Sequence, residues 1–336
     1  MSVPSRRRFL GLSAAAAGLA LLPLPLGAGA ANAATDATPL VWRGSALGAD
    51  AVIQLHCEDE DAGRALIADC VAEVGRLEAV FSLARPDSAL SRLNRMGQLD
   101  DAPPDLVRLL AESAGFSALT GGAFDPTVQT LWTLFAGHFV TPGADPAGPP
   151  ADAVRAALDR VGWRGVVVEP GRVAFARSGM AVTLNGIAQG YITDRVIDLL
   201  RRHGVDRVLA DLGETRSLGR HPDGSPWTVG LEDPRRRGHV LRTLALENRA
   251  ISTSGGYGTI FEPSGRFNHL FDPDSGRSPD PWRSVSVVAP TATMADALST
   301  AFCFMPEQRM GAVLAGRDAI AYLTGADGTQ RAVSGR

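Results

Sequence analysis

Two hydrophobic periods alternate along this chain, and their order limits the folds open to it. Residues 51–56 alternate as a strand does, whereas from Asp61 to about Phe81 the apolar residues Leu66, Ile67, Cys70, Val71, Val74 and Leu77 recur on one helical face. Pro103 to Leu119 reads as a second amphipathic helix and Ala151 to Val161 as a short third. Strands cover about 164–184, and Gly186 to His203 is helical through Ile187, Tyr191, Val196, Leu199 and Leu200. Further strands are predicted near 206–211, 226–231, 240–246 and 249–253. A last strand, Ser284 to Ala289, leads into a helix from about Thr293 to Met305. Helices interleave with strands, but the later strands come in hairpin-like pairs. The pattern predicts an α+β fold of mixed, largely antiparallel sheets with flanking helices, forming one domain over 34–336. Residues 34–46 read as a loose start, and Pro142 to Pro150 as a surface linker.

The N-terminus has a different grammar. Arg6-Arg7-Arg8-Phe9-Leu10 precedes an apolar, alanine-rich run to about Leu26, and Ala31-Asn32-Ala33 offers small residues for cleavage. Residues 1–33 therefore read as a signal peptide of the twin-arginine type, implying a periplasmic or otherwise extracytoplasmic mature protein. A membrane anchor is the alternative, but the run is short and alanine-rich for a spanning helix. No membrane insertion of the mature chain is expected.

Charge excludes several chemistries. All 33 basic residues are arginines, so lysine Schiff bases, lysine nucleophiles and the Walker A lysine are ruled out. Against 36 acidic residues the net charge is −3, which gives no electrostatic footprint for nucleic acid. Cys57, Cys70 and Cys303 lack metal-ligand spacing. Cys57 and Cys70 could pair in an oxidising compartment or remain buried thiols.

Polar, glycine-rich stretches interrupt the apolar pattern. Asp296 and Thr300 are four residues apart on a helix, so both oxygens fall on one face. A carboxylate with a hydroxyl suits Mg²⁺ with positions left for phosphate and water. The same spacing also arises when an aspartate caps a helix and a threonine packs. Thr183 to Gly190 sits where a strand passes into a helix, a place where backbone N–H groups favour anions, although a tight turn needs the same residues. Thr253-Ser254-Gly255 could give phosphate donors or a plain turn. His269 and Asp272 combine an imidazole with a carboxylate, a possible general base or a structural pair. Residues 121–127 make a turn with a carboxylate and a hydroxyl, and Ser88 to Asn94 a capped helical turn.

Taken in order, these segments resemble the ApbE-like family of FAD:protein FMN transferases. The motifs are Ser88 to Asn94, Gly-Gly-Ala-Phe-Asp-Pro-Thr at 121–127, the turn at 183–190, Thr-Ser-Gly at 253–255, His-Leu-Phe-Asp-Pro-Asp-Ser-Gly at 269–276 and Ala-Asp-Ala-Leu-Ser-Thr at 295–300. The resemblance spans about residues 45–305. It implies that Asp296 and Thr300 bind Mg²⁺ with the Gly186 carbonyl. It also implies FAD contacts at Ala123, Phe124, Asp125, Thr183, Gln189 and Leu270, and at the 253–255 turn. His269, with Asp272 beside it, is implied as the base or orienting group.

Departures from the family pattern are specific. Threonine stands at 183, asparagine at 185 and glutamine at 189, where members often have aspartate, glycine and lysine. Gly213-Glu214-Thr215 stands for a frequent Gly-Gly-Asp. The flavin-stacking aromatic corresponds to Ala84 and an early methionine to Leu47. The Asn-Gly-Ile-Ala-Gln-Gly variant at 185–190 and the Leu-Gly-Glu variant at 212–214 resemble the branch associated with nitrous-oxide reductase maturation, whose acceptor would be a membrane-associated electron-transfer flavoprotein. The expected reaction is Mg²⁺-dependent transfer of FMN from FAD to a Thr or Ser hydroxyl of that partner, with AMP leaving. FAD hydrolysis to FMN and AMP, or non-catalytic flavin binding, are the alternatives.

Overall fold

The structure, a computed structural model, describes residues 19–20, 39–279 and 281–335. The expected leader, 1–33, therefore lies outside the described residues except for Leu19 and Ala20.

Three sheets are present, and every described strand pairing is antiparallel. In chain order the strands are β1 (Leu19–Ala20), β2 (Leu40–Ala46), β3 (Ala49–Leu55), β4 (Gln98–Asp100), β5 (Val166–Glu169), β6 (Arg172–Phe175) and β7 (Val208–Asp211). There follow β8 (Thr215–Leu218), β9 (Trp227–Asp233), β10 (Arg236–Leu246), β11 (Ala250–Ser254), β12 (Ser284–Ala289), β13 (Ile320–Thr324) and β14 (Gln330–Ser334). The helices are α1 (Glu60–Phe81), α2 (Ala89–Met96), α3 (Pro104–Leu119), α4 (Gln129–Phe139), α5 (Ala151–Leu158), α6 (Ala188–Arg202), α7 (Ala292–Phe302) and α8 (Glu307–Leu314). The fold is mixed α+β.

The central sheet has the order β14-β13-β12-β11-β8-β7-β3-β2. Strand alternation sends successive side chains to opposite faces. Ile53, Ala210, Val285 and Val287 pack with Cys70, Val74 and Leu77 of α1, Ile192 and Val196 of α6, and Leu298 and Phe302 of α7. Their neighbours Leu209, Ile251 and Val288 face the other way, onto Trp227, Val229 and Leu231 of β9 and Leu246 of β10. A smaller core joins Leu131 and Phe135 of α4, Ala157 of α5, and the loop residues Phe261 and Phe271.

Two expectations need correction. Residues 40–46 are β2 and pair along their whole length with β3, so they are not part of a loose start. The run of strands over 164–184 stops at Phe175, and residues 176–187 enter α6 without strand structure. Asn94 explains the second difference. Its Nδ2 donates to the Val182 carbonyl and its Oδ1 accepts from the Val182 N–H, both at 2.8 Å. One carboxamide thus supplies both bonds that a neighbouring strand would give. Cys57, Cys70 and Cys303 are free thiols. Burial pushes Cys70 and Cys303 up to about 12, so both are inert at neutral pH. Among the described residues no helix is long and apolar enough to cross a membrane.

Candidate active site

One cleft gathers residues from distant parts of the sequence. It opens between the N-terminal turn of α6, the Asp296 and Thr300 face of α7, the end of β11, the 123–128 turn and the 257–271 loop.

The crossing of α6 and α7 sets its base. Asp194 of α6 accepts from the N–H groups of Ala292 and Thr293 at 2.8 and 2.9 Å, and from the Thr293 hydroxyl at 2.6 Å. These are unpaired donors at a helix N-terminus, where a carboxylate is most stabilising. Arg216 ion-pairs with the same carboxylate. Gly190 permits the contact: a Cβ there would lie 2.4 Å from the Ala292 carbonyl oxygen.

Asp296 and Thr300 stand one turn apart on α7 and both line the cleft. Asp296 is 3% exposed and its Oδ2 accepts from the Gly190 N–H at 3.0 Å. The Thr300 Oγ1 lies 3.2 Å from the Ser254 hydroxyl, and would lie 2.9 Å from a Cβ on Gly186. The backbone of Gly186 therefore runs against Thr300. Glu214, between β7 and β8, reaches the same cleft at 4% exposure, and its Oε2 has no hydrogen-bond partner among the described residues. Burial raises the Asp296 pKa, with Asp194 adding to the effect; burial also raises that of Glu214, with the Asp296 charge adding. Among the described residues neither carboxylate is in an ion pair. Two buried carboxyl groups without a counter-charge are costly, and a cation would offset that cost. The oxygen donors fit a hard ion such as Mg²⁺, which keeps open positions for phosphate and water. No cluster of three or more His, Cys, Asp or Glu with metal-binding geometry occurs among the described residues, so hydroxyl and carbonyl oxygens would complete such a site.

On the neighbouring wall, the Ser254 hydroxyl is backed by two buried ones. The Ser254 hydroxyl lies 2.8 Å from that of Ser299, which lies 3.0 Å from Ser252. The Thr253 hydroxyl turns the other way, to Ser286 at 2.7 Å. Thr253, Ser254 and Gly255 all border the cleft, as do Thr183 and Gln189. Gln189 Nε2 is buried without a hydrogen-bond partner among the described residues.

The 123–127 turn is a brace as well as a wall. Asp125 Oδ1 accepts from the Thr127 N–H at 2.8 Å and its hydroxyl at 2.5 Å, and Oδ2 from the Trp163 N–H at 2.9 Å. Burial raises its pKa, and the Thr127 and Trp163 donors offset part of that. The Pro126 carbonyl accepts from the Thr183 N–H at 2.7 Å, which ties the two motifs together. Ala123 and Phe124 complete that wall.

His269 and Leu270 close the far side. His269 Nδ1 lies 3.2 Å from both the N and the O of Thr259. Burial lowers its pKa to about 4, so the ring is neutral at physiological pH.

Three sequence-predicted residues lie elsewhere. Asp272 folds back on its own turn, where its Oδ1 accepts from the N–H groups of Asp274 and Ser275 at 2.8 and 3.0 Å. Leu47 occupies the β2–β3 turn at φ 48°, its N–H bonded to Glu78 at 2.7 Å. Ala84 is exposed in the loop after α1. None of the three lines the cleft. Conversely, Trp132, Tyr257 and Phe304 line it without having been singled out. Aromatic residues of this kind read equally well as core, and only the fold brings them here.

The geometry can now be set beside known proteins. Residues 47–324 match the ApbE family. This chain belongs to that family. A Treponema pallidum FAD:protein FMN transferase is 34% identical over 257 residues, covering 68% of this chain and 67% of the relative. A Klebsiella pneumoniae FAD:protein FMN transferase is 31% identical over 273 residues, covering 77% and 74%. Among solved structures, the flavin transferase ApbE from Vibrio cholerae aligns with a TM-score of 0.75 at 25% identity, covering 88% of this chain and 97% of that one. The apo flavinyl transferase ApbE of Pseudomonas stutzeri gives 0.74 at 27% identity, covering 90% and 97%. The family match over 47–324 spans the segments that line the cleft.

Proposed function

We propose that this protein transfers FMN from FAD to a threonine or serine hydroxyl of an acceptor protein, with Mg²⁺ bound at Asp296, Thr300 and the Gly186 carbonyl. The observation that carries the reading is the uncompensated buried carboxylate Asp296, set beside Thr300 and Gly186 in a cleft that the Ser254 hydroxyl borders. The named activity of the relatives supports the same conclusion.

The reaction breaks one bond of the FAD pyrophosphate and forms one ester. The acceptor oxygen attacks the FMN phosphorus, and AMP leaves with the bridging oxygen. A bound Mg²⁺ would neutralise charge on the phosphates as that oxygen departs. Asp296 and Thr300 hold the cation site, while Ser254 and the N-terminal turn of α6 offer donors to phosphate oxygens. Thr183, Gln189 and the 123–125 wall position the flavin nucleotide. His269 is unprotonated at neutral pH. In the tautomer whose Nδ1–H donates to the Thr259 carbonyl, Nε2 is free to orient the incoming hydroxyl and take its proton.

The cleft encloses about 100 Å³. Sites for drug-sized ligands run to roughly 300–1,000 Å³. FAD would therefore extend out of the cleft mouth, or the 253–259 and 269–271 loops would part to admit it.

The Arg6–Leu26 leader supports export by a twin-arginine route and an extracytoplasmic acceptor. The variants at 183–190 and 213–215 support a membrane-associated electron-transfer flavoprotein as that acceptor.

The test mixes mature protein, FAD and Mg²⁺ with a candidate acceptor domain and reads in-gel flavin fluorescence and intact mass. Covalent FMN that disappears with EDTA supports the reading. Release of FMN and AMP whatever acceptor is present would make the protein a hydrolase. Tight flavin binding without any FAD consumption would make it a flavin carrier.

A further inference from the structure

A second concavity backs onto the cleft. It runs between α5, the 256–268 loop and the segments 275–279 and 282–283, and encloses about 1,200 Å³. Tyr257 lines both spaces. Gly255 borders the cleft and Gly256 the groove; His269 borders the cleft and Asn268 the groove. The two spaces therefore meet along two chain segments.

The described lining of the groove is one-sided; Asp280, between its lining residues Pro279 and Trp282, lies outside the described residues. Arg155, Arg266, Arg277 and Arg283 line it, and no acidic residue does among the described residues. None of the four forms an ion pair among the described residues. The chain as a whole is acidic, at −3, so this patch runs against the overall charge. Asp272, next in sequence to this segment, spends its carboxylate on the N–H groups of Asp274 and Ser275. Arg266 is already held in place: its Nη2 donates to the Pro146 carbonyl at 2.7 Å and its guanidinium lies 4.5 Å from the Phe267 ring centroid.

We propose that this groove docks an acidic segment of the acceptor protein. Carboxylates on that segment would pair with Arg155, Arg266, Arg277 and Arg283. A hydroxyl next to them in the acceptor chain would then pass Tyr257 into the cleft. The proposal rests on the transferase reading and names what selects its partner. Guanidinium forks match carboxylate geometry, and a cationic patch on an acidic protein both steers and selects such a partner.

The experiment measures fluorescence anisotropy of a short fluorescein-labelled peptide with a central threonine flanked by aspartates, against the same peptide with asparagines. Wild-type protein is compared with Arg155→Glu/Arg277→Glu. FAD and AMP affinities are measured on both proteins. Neither arginine makes a side-chain hydrogen bond that the fold depends on, and circular dichroism checks that the variant folds. The expected result is that the aspartate peptide binds the wild type at least about tenfold tighter than the asparagine peptide, and that the variant loses this preference. FAD affinity should be the same in both proteins, and added salt should weaken the aspartate peptide alone. Equal binding of the two peptides to wild type, or an undiminished preference in the variant, overturns the proposal. So does a variant that loses FAD or AMP affinity instead, since the groove would then serve a nucleotide phosphate. Peptide docking through these arginines without any FMN transfer would sink the transferase reading and not the groove. Transfer that survives with unaltered peptide binding in the variant would do the reverse.

Discussion

The Gly190 N–H donates to Asp296 Oδ2 at 3.0 Å, across two helices that come from segments 106 residues apart. This bond fixes the carboxylate at the base of the cleft. It depends on a glycine, because any larger residue would push the helices apart.

Gly190→Ala tests that dependence. The added methyl would lie 2.4 Å from the Ala292 carbonyl oxygen, a backbone atom that cannot swing away. The variant should lose at least about 1–3 kcal/mol in urea unfolding, the usual cost of overpacking. Gly75→Ala is the control. Gly75 lies in α1 with nothing within 4 Å of its added Cβ, so alanine there should be neutral or stabilise by about 0.5–1 kcal/mol.

Asn94→Ala should unsettle the floor of the cleft. It leaves the Val182 N–H and carbonyl without their 2.8 Å partners, at a cost of about 1–3 kcal/mol. Thr183 follows directly, so KM for FAD should rise more than kcat falls. Asn94→Asp keeps the acceptor and loses the donor, and should give an intermediate loss. Steady-state kinetics and chemical denaturation on the same preparations separate the two effects.

His269 predicts a pH dependence of stability. Its pKa falls from 6.5 to about 4 on burial, so folding favours the neutral ring. Its contribution is complete above about pH 6.5 and is lost as pH falls to about 4, because the unfolded chain takes the proton first. The loss amounts to about 3 kcal/mol at most, at 1.36 kcal/mol per unit. His269→Gln should therefore show a shallower fall in stability between pH 6.5 and 4 than the wild type. Equal slopes in the two proteins would contradict the burial argument.

What the sequence disclosed follows from how local each signal is. Asp296 and Thr300 were legible because a helical period alone puts them on one face, and α7 bears that out from Ala292 to Phe302. The turns at 123–127 and 253–255 were legible because glycine and hydroxyl residues cluster in short windows. Asn94 was legible only as part of a helical turn, since its partner Val182 lies 88 residues away. The missing strands have a similar cause. In β2 the sequence Arg43-Gly44-Ser45 is exposed and breaks the apolar alternation, while β13 and β14 extend the sheet edge by pairing that only the tertiary fold reveals. Leu47 and Ala84 were placed by analogy with a family pattern. The chain puts Leu47 on a backbone bond to Glu78 and leaves Ala84 in solvent, so neither reaches the cleft. Tyr257 and Trp132 gave no signal at all, because an aromatic side chain reads alike in a core and in a binding wall.

The most direct test of the central claim is Asp296→Asn, which keeps the shape and the acceptor for the Gly190 N–H but removes the charge. Mg²⁺ binding by titration calorimetry and FMN transfer to an acceptor domain are measured on wild type and variant. The account predicts that the variant loses detectable Mg²⁺ binding and that transfer falls by about 10²–10³-fold, the scale of losing a main electrostatic contact in a transition state. A variant that still binds Mg²⁺ and still transfers FMN in an EDTA-sensitive way at the wild-type rate would contradict it.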